Sequence, residues 1–343
     1  MIYLDNAASS LVLPYAIAAF KYAPEGNPNS GHIAGRAARK ALELARETIS
    51  ECVGCLPEEV HFVSCASEAA ARALDTMVSC CDKISVSGFE HHCVRDYPFP
   101  SYGPTHRFQY GWHETGRAHI LVQNETGQIF MILKKGDYDL LLVDATAAIG
   151  HIPVDFRALE ADYLIGDALK FGGVPGCGFL IAKESAPLSW HHEGTPPVPL
   201  ICAMAAALKW QSENMGQNLA HAADLNRRMR EILGEADGFH TTIRKENFGN
   251  MEIVSPYILS CRFEGVQAQA LVAAASAQGV CISAGSACST GKLEPSPALL
   301  ASGLTEKQAL ETIRISFSHE NTHKEVIQAG QIIRECAKMM GGI

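Results

Sequence analysis

The stretch LIGDALKFGGVPGCGFLIA, residues 164–182, holds one lysine, Lys170, between an apolar run and two glycines. Apolar residues resume at 179–182. The pattern is that of a buried strand, a tight turn and a second buried strand, because residues apolar on consecutive positions suit strands covered on both faces. The turn carries a cation into the edge of a core. A lysine placed there loses hydration, which lowers its pKa and frees the lone pair needed to condense with a carbonyl. The alternative is an exposed loop lysine beside glycine turns, and this segment alone leaves both open.

The same kind of run recurs outward from Lys170. VHFV (60–63), KISVS (83–87), AHILVQ (118–123), YDLLLVDA (138–145), ADYLIG (161–166) and GFLIA (178–182) alternate with polar or helical segments. That alternation predicts an α/β fold with a mostly parallel sheet. Residues 33–53 read as an amphipathic helix, with Ala37, Ala41, Leu44, Ala45 and Thr48 near one face and Arg36, Lys40, Glu43 and Glu47 near the other. Residues 198–233 read as one long helical stretch. Beyond it the character changes. YILSCRF (257–263) and TIRISFS (312–318) read as strands, VQAQALVAAASAQG (266–279) as a helix, and Thr322-His323-Lys324-Glu325 as a capping box opening a last helix. A compact α+β domain is expected there, with a boundary near 234–250 where Gly, Asp and Asn cluster.

Composition narrows the function classes. The 343 residues are 47% hydrophobic and 19% charged, the balance of a globular protein. A net charge of −9 and the lack of any Lys/Arg-rich run argue against a nucleic-acid surface. The start, MIYLDNAASS, does not read as a signal peptide, and ICAMAAAL (201–208) is too short to span a membrane. Twelve cysteines without an export signal point to reduced thiols in a cytoplasm. The single CxxC spacing, Cys52 and Cys55, follows a helical pattern and reads as packing, so no metal site is expected.

Four further positions carry possible chemistry, each beside a plainer reading. Ser64-Cys65-Ala66-Ser67-Glu68 is a strand-to-helix turn whose free amides can hold a phosphate, or a simple N-cap by Ser67. Glu90-His91-His92 can ligate metal, stack on a ring or be solvated. Asp144 ends the run YDLLLVD, where open α/β sheets bind ligands. It can pair with a protonated pyridine nitrogen or cap the next helix. Cys288, in SAGSACST, is either an exposed reactive thiol or a buried apolar one.

Taken in order, the motifs resemble those of the cysteine desulfurases, in the class V aminotransferase family of pyridoxal-phosphate enzymes. YLDNAAS (3–9), NPNSGHIAGRAAR (27–39), EHH (90–92), QNETG (123–127), VDA (143–145), LKFGG (169–173), GSACS (285–289), EPSPALL (294–300) and IRISFSHENT (313–322) follow family order nearly end to end. GSACS with EPS is the most specific piece. The resemblance implies the fold type I architecture of pyridoxal-phosphate transferases: a large cofactor-binding domain over 14–235, and a small α+β domain of 1–13 plus 236–343. It implies pyridoxal 5′-phosphate as cofactor and L-cysteine as substrate, converted to L-alanine with sulfur passed to Cys288 as a persulfide. Lys170 would hold the cofactor and shuttle protons. Asp144 would keep the pyridine nitrogen protonated. His91 would stack on the ring and act as acid or base. Ser67, with nearby amides such as that of Ala66, would bind the phosphate. Asn124 and Arg314 would hold the substrate carboxylate, Arg314 as a bidentate fork. Free cysteine, with a pKa of about 8.5, is only partly thiolate at neutral pH, so His91 or the cofactor would take the Cys288 proton.

Several positions depart from the family pattern. Leu169 stands where a histidine precedes the lysine, Ala147 where a glutamine bonds the cofactor's phenolic oxygen, and His192 where an arginine belongs to the RxGT loop. Gly194 and Thr195 of that loop remain; in the family that threonine reaches a partner subunit's phosphate, so a homodimer is implied. Asp167 stands where a serine contacts the phosphate. Two like charges about 4 Å apart repel by about 4 kcal/mol at an effective dielectric of about 20, so Asp167 must point away, be protonated, or meet a phosphate placed differently. The competing readings are a lyase for a related substrate such as selenocysteine or cystine, and a non-catalytic binding protein. The sulfur acceptor stays open among an iron–sulfur scaffold, a tRNA-thiolating protein and a biosynthetic sulfur carrier.

Overall fold

The computed structural model describes residues 1–99, 113–131, 139–190, 194–243, 254–285 and 294–341. The chain divides into two compact units. One comprises Ser10–Leu121 and Met131–Met215, the other Met1–Ser9, Val122–Phe130 and Gly216–Ile343.

The first unit is built on a six-stranded sheet in the spatial order Val60–Val63, Gly178–Ala182, Tyr163–Asp167, Leu140–Asp144, His113–Ile120, Cys81–Ser85. Only Gly178–Ala182 runs against its neighbours. The three strands Leu140–Asp144, Tyr163–Asp167 and Gly178–Ala182 are buried at every position, as their uninterrupted apolar runs require. Gly166 faces Phe179 in the antiparallel register, and a Cβ at Gly166 would sit 2.4 Å from the Phe179 ring. The helix Ala66–Cys80 buries Ala69, Ala70, Ala73, Leu74 and Met77, small residues first, which lets its N-terminal half lie close to the sheet.

The helix Ile33–Val53 has the expected bounds, but its apolar face is not the expected one. Gly35, Ala38, Leu42, Ala45, Ile49 and Val53 are buried at steps of three and four, whereas Ala37 and Leu44 are exposed. The alanine-rich sequence offers two apolar stripes, and packing selects the one that carries Ile49 and Val53. Two strands also shift: KISVS gives Cys81–Ser85, and AHILVQ ends at Ile120 after beginning at His113.

The second unit holds a four-stranded antiparallel sheet in the order Ser283–Ala284, Thr312–Ser316, Ile258–Phe263, Phe239–Thr241. Ile2–Tyr3 pairs in parallel with Val280–Cys281. The helix His323–Gly341 opens with the predicted reciprocal cap: Thr322 N donates to Glu325 Oε2 at 2.8 Å and Glu325 N donates to Thr322 Oγ1 at 3.2 Å. This unit begins at residue 216, inside the helix Val198–Leu233, and not near 234–250. Leu225, Met229 and Leu233 of that helix pack with Leu259, Ile313 and Ile315 in one core. Residues 122–130 join the same unit through a bridge from Gln128 to Val254 and a 2.8 Å bond from Ser255 N to Gly127 O. A cluster of Gly, Asp and Asn in the sequence does not mark where a core ends.

Candidate active site

Parallel strands bring their carboxyl ends to one edge, and in the first unit that edge collects the polar residues. Asp144 and Asp167 each end a strand, and the turn Ser64-Cys65 follows Val63 directly into the helix Ala66–Cys80.

Lys170 closes a one-turn 3₁₀ helix, Ala168–Lys170. Its carbonyl accepts from Ser10 Oγ and lies 3.0 Å from His151 Nε2, so the backbone under the amine is fixed from two sides. The chain then turns at Gly172, with φ +85°, where a Cβ would come 2.7 Å from Leu13 Cγ. Neither Ser10 nor His151 carries a sequence signal, because each acts through a backbone oxygen.

Asp144 is 5% exposed, and its Oδ1 accepts from Thr146 N at 2.9 Å. Burial raises its pKa; the Thr146 hydroxyl and amide and the Lys170 ammonium pull the other way. Beside it Glu90 is 1% exposed and accepts from Ser87 Oγ at 2.8 Å. Burial, with Asp144 adding to it, pushes the Glu90 carboxyl up to about 7.

His91 caps the short helix His92–Arg95, and its ring lies 4.0 Å from that of His92, centroid to centroid. Burial first, then His92 and the Lys170 charge, lowers its pKa to about 4. His91 is therefore a neutral ring at physiological pH. Its Nδ1 is 3.0 Å from Cys93 Sγ. Burial and the Asp144 charge push the Cys93 thiol up to about 12, against a hydrogen bond from the Ser67 hydroxyl. Cys93 was not singled out by sequence, though its place two residues after His91 was a usable signal.

Ser67 is not the N-cap of the helix Ala66–Cys80. Cys65 holds that position and offers no side-chain bond. The cap comes from across the sheet edge, where Asp167 Oδ2 accepts from Ala66 N at 2.9 Å and Asp167 Oδ1 accepts from Leu169 N at 3.0 Å. Asp167 is 8% exposed and points into the helix N-terminus, so the first of the three expected alternatives does not hold. Leu169 and Ala147 are half-buried, and exposed Thr195 has its Oγ1 3.5 Å from Asn27 Nδ2.

The second unit holds the other expected pair. Arg314, 7% exposed on the strand Thr312–Ser316, donates Nη1–H to the Asn124 carbonyl at 2.9 Å and Nη2–H to Asp5 Oδ1 at 2.8 Å. Among the described residues its Nε has no hydrogen-bond partner. Asp5 also accepts from Ser283 Oγ at 2.7 Å. Asn124 therefore meets Arg314 through its backbone, and Gln123 Nε2 approaches its side-chain oxygen at 3.4 Å. Cys288 and His192 lie outside the described residues. Among the described residues there is no group of three His, Cys, Asp or Glu side chains that could hold a metal ion, and no helix is long and apolar enough to cross a membrane.

An open sheet with a lysine turn, a buried aspartate and a neutral histidine at one edge defines a cofactor-dependent α/β enzyme. The chain belongs to the aminotransferase class-V family, whose model matches residues 2–96, 119–192 and 185–328. It is 29% identical to the putative cysteine desulfurase IscS 1 of Bacillus subtilis (strain 168), over 99% of both chains. It is 27% identical to the IscS-like cysteine desulfurase of Mycobacterium tuberculosis, over 97% of this chain and 95% of that one. A solved NifS-like protein superposes with a TM-score of 0.83 at 25% identity, covering 97% of this chain and 98% of that one. The apo cysteine desulfurase from Thermococcus onnurineus NA1 does so at 0.80 and 19% identity, over 100% and 95%, a likeness of fold.

The cofactor of this family is pyridoxal 5′-phosphate. The ring-side residues fit it. Asp144 is a buried carboxylate whose charge burial disfavours, and a protonated ring nitrogen would supply the missing positive partner. His91 offers a neutral ring, and Lys170 an amine on a pinned backbone. The phosphate end is furnished differently, since a carboxylate of the chain itself holds the Ala66 amide.

Proposed function

We propose that this chain is a cysteine desulfurase that uses pyridoxal 5′-phosphate to convert L-cysteine into L-alanine and a protein-bound persulfide. The observation that carries the proposal is one chain holding Lys170, Asp144, His91, Arg314 and Cys288 in family order, matched over nearly its whole length by relatives named cysteine desulfurase. An electron-sink aspartate, an aldehyde-binding lysine and an acceptor thiol share no other purpose.

In this reading Lys170 would hold the cofactor through its aldehyde, and its amine would move a proton at the substrate α-carbon. The bound cofactor supplies an electron sink for that carbon. Asp144 holds the ring nitrogen's proton. His91 would lie against the ring as an uncharged imidazole, its pKa lowered by burial. Ser67 and the amide of Ala66 are assigned to the phosphate, and Thr195 to that of a second subunit. Arg314 and Asn124 hold the substrate carboxylate; the Arg314 fork is already oriented by Asp5 and the Asn124 carbonyl. Cys288, as thiolate, attacks the substrate sulfur. The new S–S bond forms as the Cβ–S bond breaks, and the carbon fragment leaves as alanine after taking up a proton.

A homodimer in the cytoplasm completes the proposal. Its support is the helix Pro14–Lys21 and its flanks, where Leu11, Tyr15, Ile17, Phe20, Tyr22 and Ile33 are all 44–79% exposed, more apolar side chain than a lone subunit usually leaves in water. The test is incubation of the holoprotein with L-cysteine, assaying alanine and protein-bound persulfide. Wild type yields both in equal amounts in a single turnover. Lys170→Ala is colourless and yields neither, and Cys288→Ser binds cysteine but carries no persulfide. Full sulfide release by Cys288→Ser would remove that residue as acceptor.

A further inference from the structure

At the N-terminus of the helix Ala66–Cys80 the chain supplies its own anions. Asp167 Oδ2 takes the Ala66 amide at 2.9 Å, and Asp167 Oδ1 is held by Leu169 N at 3.0 Å, so the carboxylate is fixed by two donors from different segments. Glu68 folds back onto the same turn and accepts from Ser64 N at 2.9 Å. A Cβ at Gly178, opposite Asp167 in the sheet register, would lie 3.0 Å from the Cys65 carbonyl carbon, so the strand and the turn that opens the helix are closely packed. Helix amides and dipole attract an anion, and here they have one before any ligand arrives.

We propose that Asp167 is a specificity-determining residue that occupies the phosphate seat of the cofactor site, so that the site gains little from a 5′-phosphate and binds the unphosphorylated aldehyde pyridoxal almost as well. The inference rests on the function proposed above for the class of cofactor and for the seat of its phosphate. A phosphate entering this turn meets a fixed negative charge and must give up the Ala66 amide or displace Asp167, whereas the ring-side contacts to Asp144, His91 and Lys170 are the same for both aldehydes.

The experiment titrates apoprotein with pyridoxal 5′-phosphate and with pyridoxal, following the visible absorbance of the lysine-bound aldehyde, for wild type, Asp167→Ser and Asp167→Asn. The asparagine variant keeps size and one acceptor, which guards against loss of the cap, and thermal unfolding of each apoprotein checks folding. Wild type should prefer the phosphorylated form by less than about tenfold, or about 1.4 kcal/mol. Both variants should tighten the phosphorylated form at least about tenfold with pyridoxal unchanged. A wild-type preference above about a thousandfold, or variants that leave the ratio unmoved, overturns the inference while the enzyme assignment stands. Tight binding of both aldehydes without persulfide formation from cysteine overturns the assignment and leaves the inference in place.

Discussion

His91 Nδ1 lies 3.0 Å from Cys93 Sγ and 3.5 Å from the Cys93 amide nitrogen. An amide can only donate, and a thiol pushed up to about 12 keeps its proton, so both partners aim hydrogens at Nδ1. The ring proton is thereby assigned to Nε2, and the free edge of the imidazole presents a donor.

The first prediction concerns that ring. In apoprotein, NMR titration of His91 should show an Nε2–H tautomer that holds until pH falls towards about 4. His119, buried and beside Arg117, is also lowered to about 4. Both titrate below the ordinary histidine value, so their contribution is fully present above the unfolded pKa of about 6.5 and is lost as pH falls towards the folded one. A His91 midpoint near the ordinary value would sink the assignment.

Glu90 acts with the opposite sign. Its folded pKa is raised to about 7, so its contribution is present below the unfolded carboxylate value and is lost as pH climbs through about 7. Glu90→Gln removes that loss. The variant should be more stable than wild type at pH 8, by about 1–3 kcal/mol, and the advantage should fade towards pH 5. Denaturant unfolding at the two pH values measures it, and equal stabilities at pH 8 would contradict it.

Gly166→Ala should destabilise the first unit. The added methyl meets the Phe179 ring, itself fully buried between paired strands. The overpacking cost is about 1–3 kcal/mol, seen as a lowered midpoint of thermal unfolding. An unchanged midpoint would mean that Phe179 has room to turn.

Arg314→Lys keeps the charge but loses the fork that spans the Asn124 carbonyl and Asp5. With the assigned role in binding carboxylate, KM for L-cysteine should rise at least about tenfold with a smaller change in kcat. An unaltered KM would place the substrate carboxylate elsewhere.

Ile17, 53% exposed on the helix Pro14–Lys21, should lie in the interface between subunits. Light scattering on wild type should give twice the chain mass, and Ile17→Asp should halve it by placing a charge in an apolar contact. A monomeric wild type would end this reading of the exposed face.

Strand runs and long helices were legible because their apolar residues follow the period of the element, as at 60–63, 178–182 and 198–233. The choice of face on Ile33–Val53 was not, because alanine fits either stripe and only the neighbours decide. Asp144, His91 and Lys170 were visible as chemistry-bearing types at strand ends. Ser10, His151 and Asp5 were hidden, since a residue that holds a backbone oxygen or the far side of a guanidinium leaves no local pattern. Asp167 stood out in sequence as a misplaced charge, and its bond to Ala66, 101 positions away, became visible only through the sheet.

The parallel pair Ile2–Val280 and Tyr3–Cys281 has a consequence for how the chain is made. A ribosome releases the first strand long before its partner exists, so that strand must wait, unpaired, through most of synthesis. The first unit lies almost wholly within the intervening stretch and can close on its own during that wait, while the second can be completed only when the last pieces emerge. Folding after release from the ribosome should therefore be slow at this junction, and a chaperone that shields the waiting strand should raise the yield.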